Sequence, residues 1–308
     1  MSKNENCTVE MFKIFFRSIK IYVLNFGDFF KYMSFPVLGT VLGLAMILGI
    51  TYSLSAFTQS PAGMKLAVEN PFLVMLLLLI CVIPGFLLFC KAFLDYIIAM
   101  VSLSRAACDL TATDKLVNNL KTYNSIIEYR EMQYFFLIFI LSVVYGVLSF
   151  PLLFILECVV FLYTSLAIQA FAHDDRFNAI DAIKRSFLVI PGHALQTTGL
   201  LVLLGITTYI VVPMILCFGV SALGWTKYLA APISAIVDKL PVYMLNDILV
   251  SAKIPMELFA ERVSEVFAMI LLLTVVVMYL LPIRSIACTL WYDFLNSSGT
   301  GSKNNREQ

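Results

Sequence analysis

Charge is what this sequence has least of. Of its 308 residues, 13% are charged and 60% are hydrophobic, whereas a soluble domain carries about a quarter charged residues. One water-soluble core cannot hide that much apolar surface, so lipid must be the solvent for much of it. The net charge of +1 leaves no electrostatic footprint for nucleic acid. The seven cysteines form no CxxC pair, are odd in number and mostly lie inside apolar runs. They read as small packed hydrophobes and argue against a disulfide framework. The two histidines, His173 and His193, have only Asp174, Asp175 and Asp181 near them in sequence. That spacing matches no metal motif, and a zinc site wants three or four ligands, so no metal is expected. Walker loops, GxSxG, HExxH and the dinucleotide glycine fingerprint are all missing. Neither a cofactor nor intrinsic catalysis is expected. Residues 1–8 are polar and no short apolar run with a cleavage site follows, so no signal peptide is expected.

What the sequence does have is long apolar runs. Tyr134 to Ala172 spans 39 residues with Glu157 as its only charge. At 1.5 Å per residue that is too long for one crossing of a core about 30 Å thick and right for two. Ser149-Phe150-Pro151 is the predicted turn. The other predicted crossings are Met33–Phe57, Phe72 to about Met100 with a kink at Pro84-Gly85, Leu195–Phe218, and Val263 to Leu295. Gly39 and Gly43 form one GxxxG in the first of these, which permits close helix approach. Residues 220–260 hold prolines and aromatics with sparse charge, and read as short helices in the outer interface, or as a re-entrant segment at 229–237.

An amphipathic helix is predicted before each hairpin. In Val9–Phe30, Phe12, Phe15, Phe16, Ile19, Tyr22, Val23 and Phe26 recur at three- and four-residue spacing, with Lys13, Arg17 and Lys20 opposite. A second covers Thr111–Arg130. A third, Phe177–Ile190, sets Ala179, Ile180, Ile183, Phe187 and Ile190 against Asp181, Lys184 and Arg185, with Asp174 and Asp175 as predicted caps. Arg17-Ser18 and Arg185-Ser186 sit at comparable places, which suggests a threefold repeat of surface helix plus hairpin. The predicted fold class is all-α: a polytopic helical membrane protein with about six transmembrane helices and cytoplasmic amphipathic helices. The predicted divisions are an N-terminal helix at 1–32, a membrane domain at 33–295 and a disordered polar tail at 296–308.

Orientation follows from basic residues. With six crossings, sixteen of the 21 Lys and Arg fall on one side and five on the other. Both termini are therefore expected in the cytoplasm, and the protein in the cell inner membrane. Lys13, Arg17, Lys20, Lys184 and Arg185 are candidate contacts for lipid headgroups. Glu157 is the one acid well inside an apolar run, where a charge costs roughly 3 kcal/mol, although the nearby turn offers it a way out. Lys91 and Asp95, four residues apart, can pair on one helix face. Together with Glu157 they are the candidate intramembrane polar site.

Two stretches resemble a known group. Ala179-Ile-Asp-Ala-Ile-Lys-Arg-Ser-Phe187, after Phe171-Ala-His-Asp-Asp175, is similar to the "eAlrrSw…kg" segment of bacterial integral membrane proteins that include the YciC-like inner-membrane proteins. The membrane domain fused to some glycerophosphoryl diester phosphodiesterases belongs to the same group. Pro282 to Phe294 looks like its closing "P…a…llYyDlr", without the final arginine, and Phe187 stands where the group has Trp. The resemblance implies a helical membrane fold with a loose association with lipid or envelope biology. The phosphodiesterase activity belongs to a fused soluble barrel, so no catalytic residue carries over. The expected function is a membrane scaffold or lipid-interacting component with membrane lipids as partners. The alternative is a transporter or channel for a small or lipidic substrate.

Overall fold

The computed structural model describes residues 3–110, 114–116, 119–128, 130–237, 246, 250–251 and 259–304. The chain opens with α1 (Lys3–Leu24), α2 (Phe26–Thr58), α3 (Pro61–Glu69) and α4 (Pro71–Cys108). The middle holds α5 (Leu120–Glu128), α6 (Glu131–Leu148), α7 (Phe154–Thr164), α8 (Ala167–His173) and α9 (Ala179–Val189). Then come α10 (Ala194–Gly205), α11 (Val212–Ala222), α12 (Thr226–Val237), α13 (Ala260–Tyr279) and α14 (Leu281–Asn304). The fold is all-α. Among the described residues, six helical stretches are long and apolar enough to cross a membrane: 26–58, 71–108, 131–148, 154–173, 194–222 and 261–298.

The middle hairpin turns at Ser149–Leu153, where Pro151 starts a single 3₁₀ turn. Proline fits that first position because its missing N–H has no helical partner to lose. In the fifth crossing, α10 and α11 are joined by a π-helical stretch, Ile206–Val211. Pro213, two residues past the end of that stretch, cannot donate to the preceding turn, a break that a widened turn accommodates. Between 220 and 260, α12 occupies the segment read as re-entrant, with Pro232 inside it; residues 238–245, 247–249 and 252–258 lie outside the described set. The predicted boundary at 32/33 falls within α2, and α14 continues past the one at 296.

The chain forms two compact units. One comprises 1–35, 94–207 and 279–308; the other comprises 36–93 and 208–278. The first holds the largest buried side chains, among them Trp291, Tyr123, Tyr134, Tyr292, Phe29 and Phe171. Two of its buried polar tips pair across helices: Trp291 Nε1 donates to Thr197 Oγ1 at 3.0 Å, and Tyr134 Oη to the Ile97 carbonyl at 2.8 Å. In the second unit, Gly43 of α2 lies against the backbone of Phe89 of α4. A Cβ at Gly43 would stand 2.5 Å from Phe89 N and 2.7 Å from its Cα. Gly49, two turns on, has nothing within 4 Å of its Cβ position. Gly43→Ala is therefore expected to cost about 1–3 kcal/mol by forcing the two backbones apart. Gly49→Ala is expected to be neutral or to gain up to about 1 kcal/mol from helix propensity. Thermal unfolding of the two variants in detergent checks the contrast.

The faces of α1 and α9 differ from the sequence reading. α1 packs on α14 and α10 and buries Cys7, Met11, Ile14, Phe15, Ser18, Ile21 and Tyr22. Phe12, Phe16, Val23 and the following Phe26 stay exposed. α9 buries Ala179, Ala182, Ser186 and the following Ile190, and exposes Ile180, Phe187 and Leu188. Close helix contact selects small side chains for the packed side. Ser186 shows this directly, donating to the Tyr163 carbonyl of α7 at 2.6 Å.

Candidate functional site at the polar corner

A polar cluster in the first unit surrounds the corner after α8. Arg105, in the last turn of α4, donates through Nη1 to the carbonyls of Ala172 (2.8 Å) and His173 (3.2 Å). Its Nη2 lies 3.3 Å from Asp175. Arg130, just before α6, donates to the carbonyls of Phe171 (3.2 Å) and Phe177, and lies 3.3 Å from the other Asp175 oxygen. Its guanidinium also stacks 4.0 Å from the Phe171 ring centre. Two arginines thus take up the carbonyls that α8 leaves without helical donors, at the negative end of its dipole. Burial pushes the Arg130 guanidinium below its ordinary range; Asp175 opposes this and Arg105 adds to it. Arginine stays charged regardless.

Asp174 and Asp175 do not cap α9, as their position in the sequence suggested. Asn178 does, accepting from Asp181 N at 2.9 Å. Asp174 instead folds back on its neighbour, accepting from Arg176 N at 2.9 Å and from its Nε at 3.1 Å. These hydrogen bonds, with the charge of Arg176 and His173, hold its carboxyl below the usual range despite some burial.

Beside the clamp stand three donor groups from three helices. His173 Nδ1 lies 3.1 Å from Asp293 Oδ1 of α14 and 3.8 Å from Cys108 Sγ, the last residue of α4. The Tyr292 ring meets the imidazole edge-on at 5.5 Å. The other histidine also faces a thiol, with Cys7 Sγ 3.3 Å from His193 Nδ1. Burial pushes the Cys7 thiol up, which keeps it protonated and unreactive at neutral pH.

A second cluster joins α1 to the segment before α5. Asp114 is buried, with a left-handed backbone at φ 58°. Its carboxylate accepts from Arg17 Nε at 2.8 Å and Lys20 Nζ at 3.2 Å. Burial acts to raise its pKa, but the hydrogen bonds and charges of Arg17 and Lys20 win and bring it below the ordinary value. Asn25, between α1 and α2, donates to the Asp114 carbonyl at 3.0 Å and accepts from Leu116 N at 3.2 Å. A cleft of about 350 Å³ lies next to it, lined by Asp28, Lys31, Tyr32, Asn119 and Lys121 among others.

The residues picked from sequence separate into distinct places. Of the five basic candidates, Arg17 and Lys20 come together on Asp114, and Lys13 pairs with Glu10 one turn back at 2.5 Å. Lys184 is exposed, and Arg185 donates to Asn296 of α14. Glu157 accepts from Ser149 at 3.2 Å, across the hairpin turn. Lys91 and Asp95 sit one turn apart on α4. Sequence reading did not single out Arg130, Cys108, Asp293 or the arginine clamp. One signal was present: each lies where an apolar run meets polar residues, and six crossings bring those ends to one side.

These features define a multi-pass helical membrane protein. No protein-family model matches the chain, and no curated protein or solved structure matches it either.

Proposed function

We propose that the protein is an inner-membrane scaffold or lipid-interacting component without intrinsic catalysis, with both termini in the cytoplasm. The observation that carries this reading is the outer surface of α1. Exposed Phe12, Phe16 and Val23 lie beside Lys13 and Lys20, whose side chains are each 64% exposed. Aromatic groups next to lysines suit the boundary between acyl chains and anionic headgroups. α9 repeats the arrangement with exposed Ile180, Phe187 and Leu188 beside Lys184. Sixteen basic residues on one side and the resemblance of Ala179–Phe187 and Pro282–Phe294 to bacterial inner-membrane proteins support the location. The position of Glu157, bonded to Ser149 at a hairpin turn, favours this reading over a transport path through that residue.

The test is the lipid that stays with the full chain after purification in mild detergent, read by mass spectrometry. Anionic phospholipid is expected to be enriched over the bulk membrane. Lys13→Ser combined with Lys184→Ser should reduce that enrichment severalfold without lowering the melting temperature. Retained lipid that mirrors the bulk membrane, or that the double variant leaves unchanged, rules the reading out.

A further inference from the structure

We infer that Cys108, His173 and Asp293 form a binding site for one Zn²⁺ ion. One sulfur, one nitrogen and one oxygen donor from these residues all lie within 4.8 Å of one another. A thiolate, an imidazole and a carboxylate are each ordinary zinc ligands, and the mixture of soft and hard donors suits zinc better than magnesium or calcium. Zinc bond lengths place tetrahedral ligand atoms roughly 3.3–3.6 Å apart. Here the sulfur–nitrogen separation is 3.8 Å and the nitrogen–oxygen separation 3.1 Å. Closing around an ion therefore takes side-chain adjustments of about an ångström.

Two further observations point to a ligand. Asp293 Oδ1 is shielded from solvent, and His173 Nδ1, 3.1 Å away, is not aligned as a hydrogen-bond donor to it. A shielded carboxylate oxygen facing an imidazole nitrogen without a directed hydrogen bond is under-satisfied, and a cation held between the two would satisfy both. Charge also balances: thiolate and carboxylate together supply two negative charges, which a divalent ion neutralises beside Arg105. The thiol proton, now directed to the Ser104 carbonyl at 3.4 Å, leaves to solvent as the zinc–sulfur bond forms.

The donors are held in place by their neighbours. Arg105 fixes the backbone of His173 through its carbonyl, and Tyr292 rests against the imidazole edge-on. The His173 and Asp293 side chains are 38% and 35% exposed, so an ion can enter from solvent. Three protein ligands leave a fourth position for water. The ion would join the ends of α4, α8 and α14, which are far apart in sequence. This site is independent of lipid binding by α1 and α9.

Cobalt(II) is the probe, because a thiolate ligand gives it a near-ultraviolet charge-transfer band. The full chain in detergent, reduced and stripped with chelator, is expected to bind one Co²⁺ with that band, and Zn²⁺ should displace it. Cys108→Ser should abolish the band; His173→Gln and Asp293→Asn should each weaken cobalt binding at least tenfold. Cys7→Ser should leave it intact, since the Cys7–His193 pair is the competing sulfur–imidazole site. Zn²⁺ should raise the melting temperature of the wild type and not that of Cys108→Ser. Wild-type protein that shows no thiolate band with Co²⁺ overturns the assignment, whatever the variants do. So does a band that survives Cys108→Ser or vanishes in a folded Cys7→Ser.

Discussion

Arg130→Met is expected to lower the melting temperature in detergent by about 6–12 °C. The Arg130 side chain is 15% exposed, and it serves the Phe171 and Phe177 carbonyls and Asp175 together. Methionine fills much of the same space over Phe171 but offers no donor. Two carbonyls then lose their partner, each costing about 1–3 kcal/mol when buried. Asp175 adds little, since its side chain is 58% exposed and water can solvate it. A total near 3 kcal/mol corresponds to the quoted shift at about 2–4 °C per kcal/mol for a larger domain. Arg130→Lys is expected to recover less than half of the loss. An ammonium is a point charge and cannot span the carbonyls on both sides of the corner while stacking on the ring. A lysine variant as stable as the wild type would show that charge alone matters there.

Asp114→Ala is expected to cost about 2 kcal/mol, or roughly 4–8 °C. Alanine loses the hydrogen bonds from Arg17 and Lys20, and it must adopt the left-handed backbone at φ 58°, which strains a residue with a Cβ by about 1 kcal/mol. Arg17 and Lys20 are 44% and 64% exposed, so solvent screening limits their share. Asp114→Asn separates the two parts, because asparagine tolerates this backbone and keeps an acceptor. It should lose only the ionic share. The pH dependence carries a definite sign. The folded-state pKa of Asp114 is depressed, so its contribution is fully present above the unfolded value of about 3.9. It is lost as pH falls through the folded value, where the carboxyl takes a proton in both states. Wild type and Asp114→Asn should differ at pH 7 and converge in acid. Equal differences at both pH values would mean that the ionic pairing contributes nothing.

Crossings could be read from the sequence because they depend only on apolar length, and the middle hairpin turns where Ser149-Phe150-Pro151 says it should. Faces could not. In α1 and α9 the spacing puts Phe16 and Phe187 on the same apolar face as residues that are buried. Phe16 and Phe187 are among the exposed residues, and Ser18 and Ser186 among the fully buried. Close packing selects for shape, so small side chains take the interior and hydrophobicity alone does not report it. The polar clusters were hidden for a different reason. Asp114 and Arg17 are 97 positions apart, and no local pattern predicts which charge at one membrane face meets which. Glu157 lies six residues after the proline turn, as its number says, and accepts from Ser149 across that turn.

The polar corner has a consequence for how the chain is made. Synthesis runs from the N-terminus, so Arg105 and Arg130 emerge before the carbonyls at 171–177 that they will hold. Until then both guanidiniums must remain hydrated. Asp293 comes later still, with the final helix. The corner is therefore assembled late: its first parts wait, and only a chain made past residue 293 supplies the last one.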